Sequence, residues 1–350
     1  MASSNSKPFV FFLLATLLVG FVLFGVRLIR PRVPTLSVPG NTGIGSIFTV
    51  DKQLTAVFQD GRAVVWNWDE HDQRQADFSV GSGRAIPLAD GRLAALARMG
   101  DRFVLSVYDI DAEQRISDLT IGQSDQDIHL RNASNRQSPT LIRRNPEQDG
   151  QIVYEFVLVD LGAEILRPAV VTTLQDRSET LRDFAVSDTH VLIAGGGDQG
   201  RARLLAVNVD TGQTLWDRLW EDVVELTTVA ISPDGQTVWA GDLEGNLLII
   251  DAEDGQRQTI VSLLQPGETR PVTNDYSVRN LVLSPDGRLL GGTIAPIAYA
   301  IDARTGQVTH RFGGHRVVAR VAFSPDSRKM ATSDLRADGV IRIHALDEDN

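Results

Sequence analysis

The sequence predicts an all-β fold, a seven-bladed β-propeller preceded by a single N-terminal transmembrane helix. Three observations lead there. A Ser-Pro-Asp-Gly turn recurs after short apolar runs, a second turn ending in Gly-Gln follows it by about 20 residues, and a charge-free run of 18 residues lies near the N-terminus. Self-similarity at a period of roughly 40–45 residues is the sequence mark of stacked four-stranded blades.

The N-terminal element comes first. Phe9 to Val26 reads FVFFLLATLLVGFVLFGV, apolar on every face of a helix. At 1.5 Å per residue it would reach about 27 Å, enough to span a bilayer core. Lys7 would suit the n-region of a cleaved signal peptide, but Val26-Arg27-Leu28-Ile29-Arg30 stands where a small-x-small cleavage site would follow. The expectation is therefore a tail at 1–8 and an uncleaved signal anchor at 9–29. Three arginines on the C-terminal flank lean the body towards the cytoplasm by the positive-inside rule, with a periplasmic body as the alternative. Residues 30–43 hold Pro31, Pro34 and Pro39 and read as a stiff, extended linker.

Beyond Gly40 no long 3.6-residue period appears. Short β-rich runs alternate with Gly, Asp and Asn turns. The first turn type stands at Ser232–Gly235, Ser284–Gly287 and Ser324–Ser327, after TTVAI, RNLVL and ARVAF, with looser copies at Ala89–Arg92 and Ser187-Asp188. The second stands at Val209–Gln213, at Asp251 with Asp254–Gln256, and at Asp302 with Thr305–Gln307, with degenerate versions at 109–114 and 67–73. Asp and Thr side chains bond nearby backbone amides in such turns, and Gly accepts a positive φ.

The turn residues Asp51, Asp90, Asp188, Asp234, Asp286 and Asp326 lie 39, 98, 46, 52 and 40 apart, the second interval covering two units. The propeller thus occupies 44–348, in units near 44–80, 81–121, 127–171, 181–220, 225–264, 278–315 and 317–348. The third unit lacks both turns and is placed by its length and by QIVYEFVLVD. The last unit ends at its third strand, VIRIHAL. An unclosed ring would expose raw sheet edges, so Val33 to Val38 is expected to supply the missing outer strand.

Residues 314–346 resemble a bacterial WD repeat: Gly314-His315, the strand ARVAF, Ser324-Pro325-Asp326, KMATS and Asp338–Ile343 follow in that family's order. The resemblance implies that His315, Thr332 and Asp338 join a hydrogen-bond network inside the blade, although His344 replaces the family's Trp. In the first unit, Asp60-Gly61 and Trp66-Asn67 match the same pattern. Leu204 to Trp216 resembles a repeat of the quinoprotein-like propellers, a group that includes cofactor-bearing dehydrogenases and non-catalytic scaffolds. Together these imply a WD-repeat or quinoprotein-like propeller at the bacterial inner membrane.

Composition narrows the function. Of the net charge of −11, residues 1–32 carry +4, which leaves −15 on the other 318. Such a body repels nucleic-acid phosphates, so no nucleic-acid partner is expected. With no Cys, a disulfide, a thiolate-held zinc and a thiol nucleophile are excluded. No two of the six histidines share metal-binding spacing, Asp109, Asp111 and Glu113 lack the Gly and Glu of a calcium loop, and Gly195–Gly197 lacks the Lys of a phosphate loop. No catalytic residue, cofactor or metal is expected, and the chain is read as a non-enzyme.

The expected role is a membrane-tethered scaffold that binds a protein partner in a membrane-associated complex through propeller loops. An exported propeller holding a small ligand or redox cofactor is the alternative. Two long loops are the candidate contacts: Asn132 to Gly150, with the basic cluster of Arg136, Arg143 and Arg144 beside Arg131, and Gln265 to Ser277, with Arg270 and Tyr276.

Overall fold

A computed structural model describes residues 33, 35–37, 43–50, 52–69, 73–80, 85–88, 91–123, 127–132, 139–148, 151–161, 165–174, 180–196, 200–264, 275–315, 318–334 and 339–346. No helix among them is long and apolar enough to cross a membrane, and the span expected at 9–29 lies outside them.

The first strand is β1 (Thr35–Ser37). Blade 1 follows as β2 (Ile44–Val50), β3 (Gln53–Phe58), β4 (Arg62–Asn67) and β5 (Gln73–Ser79). Blade 2 is β6 (Ala85–Pro87), β7 (Arg92–Met99), β8 (Arg102–Asp109) and β9 (Gln114–Gln123). Blade 3 is β10 (Asp127–Asn132), β11 (Pro139–Gln148), β12 (Gln151–Asp160) and β13 (Ile165–Leu174). Blade 4 is β14 (Thr180–Val186), β15 (His190–Gly196), β16 (Arg201–Asn208) and β17 (Thr214–Val224). Blade 5 is β18 (Leu226–Ile231), β19 (Thr237–Asp242), β20 (Asn246–Asp251) and β21 (Arg257–Ser262). Blade 6 is β22 (Arg279–Leu283), β23 (Leu289–Ile294), β24 (Ile297–Asp302) and β25 (Val308–Phe312). Blade 7 has β26 (Val318–Phe323), β27 (Lys329–Asp334) and β28 (Val340–Ala345), and takes β1 as its fourth strand.

Each blade is an antiparallel meander whose first strand touches the first strands of both neighbouring blades, and the cycle closes from blade 7 to blade 1. First strands are therefore innermost. The middle strands are apolar and buried on both sides, as in β20, NLLIID. Outer strands alternate, as in β21, RQTIVS, because only one side meets the next blade.

Closure follows from the ladder between β1 and β28, in which Thr35, Leu36 and Ser37 oppose Arg342, Ile341 and Val340. Leu36 is buried with Ile341, Ile343, Trp66 and Ile44, so the seam shares the core of blades 7 and 1. Pro34 and Pro39 bracket this strand in the sequence.

One expectation is corrected. The stretch Asn132–Gly150 is not one loop, because β11 occupies most of it, paired on one side to β10 and on the other to β12. The run Thr140-Leu141-Ile142 is a strand former whose signal the following arginines obscure.

Candidate functional site

Topology assigns every connection to one of two faces. Turns between first and second strands, and between third and fourth, lie on one face, here the turn face. Turns between second and third strands, and the links between blades, lie on the other, the connection face.

Both signature turns belong to the turn face and are satisfied internally. The Ser284 and Ser324 hydroxyls donate to the carboxylates of Asp286 and Asp326 at 2.7 and 2.6 Å, while the Leu289 and Lys329 amides donate back to the same hydroxyls. In the second turn, Asp302 Oδ1 accepts from the Arg304 and Thr305 amides and the Thr305 hydroxyl. Asn208 holds the matching place in blade 4, accepting from the Asp210 and Thr211 amides and the Thr211 hydroxyl. Asp210, which the sequence pattern singles out, is thus a donor in that turn and not its acceptor. Gly255 has φ +72°, and a Cβ there would come within 2.6 Å of the Trp216 ring, whose Nε1 donates to the Ala252 carbonyl at 2.8 Å. The same device links blades 5 and 6, where Trp239 Nε1 reaches the Ala303 carbonyl at 2.7 Å.

The connection face is built differently. In blades 1, 4, 5, 6 and 7 the first strand slips register as it leaves this face, between Ile44 and Ser46, Leu181 and Asp183, Leu226 and Thr228, Arg279 and Val282, and Val318 and Arg320. A bulge frees backbone from the ladder and re-aims side chains. Polar side chains at these places bond across blade boundaries. Arg182 grips Glu225 through two bonds at 2.6 and 3.2 Å, Asp183 accepts from the Thr228 hydroxyl and the Val229 amide, Thr227 donates to the Val278 carbonyl, and Arg320 donates to Asn280 at 3.0 Å. The hydrogen bond with Glu225 raises the Arg182 pKa, so this cation stays charged. Asn280 has φ +57°, a left-handed conformation that Asn tolerates better than most side chains. Outside this collar, Arg279 and Asp275 pair at 3.0 Å and remain largely exposed.

Of the nominated contact residues, Tyr276, Arg143 and Arg144 are among the described ones. Tyr276 is half-buried on the connection face, between Asp275 and Ser277, whose amide bonds the Asp275 carboxylate. Arg270 lies outside the described residues, within the same link between blades 5 and 6. Arg136 also lies outside them. Arg143 and Arg144 are strand residues, opposite Ile128 and Asp127 on β10 and opposite Glu155 and Tyr154 on β12. Sequence reasoning missed Arg182, Glu225 and Asn280, since a bulge leaves no composition signal.

Two of the nominated blade residues, His315 and Thr332, meet in blade 7. His315 Nε2 meets the Thr332 hydroxyl at 2.6 Å, and that hydroxyl meets His344 Nε2 at 2.9 Å. Arg342 donates from Nη1 to His315 Nδ1 at 2.8 Å, and Asp334 Oδ2 lies 3.9 Å from the same nitrogen. Asp338 lies outside the described residues. In blade 1, Asp60 is exposed and holds Arg62 at 2.7 Å, whereas Trp66 is fully buried in the apolar seam.

Comparison with known families agrees with this architecture. Residues 158–324, from β12 to the first turn of blade 7, match the family described as outer membrane protein assembly factor BamB. Residues 306–344 match the WD domain, G-beta repeat. Together the two matches support a WD-repeat, quinoprotein-like propeller. No curated protein matches it closely enough to add a relative. Both matches fall where the propeller's turn chemistry is most regular, and the WD match covers His315, Thr332 and His344. No group of three or more His, Asp or Glu placed to hold a metal occurs among the described residues.

Proposed function

We propose that this propeller is a non-catalytic scaffold, tethered to a membrane by residues 9–29, that binds a protein partner of a membrane-associated complex through its connection face. The match of residues 158–324 to an outer membrane protein assembly factor carries the reading. That family is named for assembly, and the matched blades hold most of the polar collar. The collar's inter-blade bonds keep its side chains in place before any partner arrives, which lowers the ordering cost of association. Arg279, Asp275 and Tyr276 stand where the link between blades 5 and 6 opens onto that face, and Tyr and Arg suit the centre of an interface.

The test is recovery of the tagged full chain from membranes in mild detergent. One stoichiometric protein partner is expected, with recovery of that partner reduced about tenfold by Arg279→Glu, a charge reversal at an exposed site. Release of the chain by alkaline washing of membranes would remove the tether, and recovery without a partner would remove the scaffold.

A further inference from the structure

Asn280 stands in the first strand of blade 6 with φ +57°, in the left-handed region that Asn enters at less cost than most side chains. It belongs to a bulge. Arg279 pairs with Thr293 and Val282 with Gly291, so three steps along β22 match two along β23. Directly paired residues share a side of the sheet, and so do Thr293 and Gly291, which are two apart. Arg279 and Val282 therefore point to the same side, although a regular strand would set residues three apart on opposite sides.

The neighbours identify both sides. A Cβ on Gly291 would come within 3.0 Å of the Phe323 ring and 3.1 Å of Val321, so the side of Arg279 and Val282 faces blade 7. Leu281 takes the other side and is buried with Trp239, Val278 and Leu290 in the core shared with blade 5. Gly292 makes room for it, since a Cβ there would lie 3.1 Å from Leu281 Cδ2. Without the left-handed step, Arg279 would swing to the blade 5 side.

Three bonds hold the bulge. Asn280 Oδ1 accepts from Arg320 Nη1 of blade 7 at 3.0 Å, its Nδ2 donates to the Thr293 hydroxyl at 3.4 Å, and that hydroxyl donates to the Arg279 carbonyl at 3.2 Å. Thr293 is buried, whereas the Arg279 side chain is 61% exposed and is steadied by Asp275. A Gly would take the same φ without strain but would offer Arg320 no acceptor. We infer that Asn280 is a positioning residue for partner binding, whose left-handed turn and bonds to Thr293 and blade 7 aim the Arg279 guanidinium out of the connection face. This role rests on the scaffold reading, in which Arg279 meets the partner.

The experiment uses the tagged full chain recovered from membranes in mild detergent, with the bound partner quantified. Asn280→Ala should lower partner recovery about fivefold, and Asn280→Asp, which tolerates the same φ and keeps an acceptor for Arg320, should restore it. In an Arg279→Ala background Asn280→Ala should have no further effect, because its action runs through Arg279, whereas a merely structural role would lower recovery in both backgrounds. Asn280→Gly should lose about twofold, and it carries the test if Asn280→Ala does not fold. Recovery unchanged in both Asn280→Ala and Asn280→Gly, or a further fall in the Arg279→Ala background, would overturn the assignment while the wild type still holds its partner. A wild type that recovers no partner removes the scaffold reading itself, and the role of Asn280 with it.

Discussion

Blades 5 and 7 place the same strand positions in the same register and fill them with opposite chemistry. In blade 5, Ala240 pairs with Leu248, and Val238 with Ile250. In blade 7 the corresponding pairs are Thr332 with Arg342, and Met330 with His344. Ala240, Leu248 and Ile250 are fully buried and apolar, whereas Thr332, Arg342 and His344 form a hydrogen-bonded chain. Blade 5 is one continuous stretch of chain and can rely on packing, which has no directional demand. Blade 7 must recruit a strand from the other end of the sequence. Directional bonds discriminate the correct partner where apolar burial alone would accept several registers.

That difference can be broken at its largest point first. Leu36→Asp puts a charge into the seam between blades 7 and 1, and a loss of about 4 kcal/mol is expected by urea unfolding. Gly255→Val strikes the contiguous side of the comparison, where the positive φ and the Trp216 ring together should cost about 3 kcal/mol. Calorimetry should show the first substitution splitting the transition and the second shifting it as a whole. Thr332→Val removes the hydroxyl between two buried imidazoles and should cost about 2 kcal/mol, most of it from donors and acceptors left unpaired.

The converse replacement sharpens the contrast. Giving blade 7 the residues of blade 5, as Thr332→Ala with Arg342→Leu and His344→Ile, should cost at least about 2 kcal/mol at pH 7.5, because His315 stays buried while its bonds to Thr332 and Arg342 are lost. The same triple variant should raise the population of misregistered β1 in exchange experiments.

The smallest effect is read per pH unit. His344 is held below its ordinary pKa of 6.5, at about 4, first by burial. Between those values the unfolded chain binds the proton that the folded blade refuses, so stability is complete above pH 6.5 and falls as pH drops towards 4. The slope is about 1 kcal/mol per unit for one such group. His344→Ile should reduce the slope by that amount between pH 6 and pH 5 in denaturant titrations, and an unchanged slope would assign the acid sensitivity elsewhere. The Asp286 carboxyl is opposed by burial but held down to about 2 by the Ser284 hydroxyl, Arg288 and a backbone amide. Its contribution is present above pH 4 and is lost only as pH falls through 2, which separates it from the histidine.

What the sequence determined by itself was the repeat. Ser, Pro, Asp and Gly within a few residues of one another specify a turn through short-range bonds, so the units that carry those turns and the missing fourth strand of the last were legible, while the third unit, which lacks both turns, was placed by its length and by QIVYEFVLVD. His315 and Thr332 could be named for the same reason, as members of a recurring local order. Tertiary structure decided everything that depends on residues meeting across blades. It brought Arg342 and Asp334 to His315, and joined Arg182 of blade 4 to Glu225 in the link to blade 5. Asn208 holds the acceptor place in the blade 4 turn because it stands three residues before Thr211, as Asp302 stands three before Thr305. Local turn chemistry is written in adjacent positions, whereas the collar and the His315 network rest on bulges and ladder registers that arise only once the ring is closed.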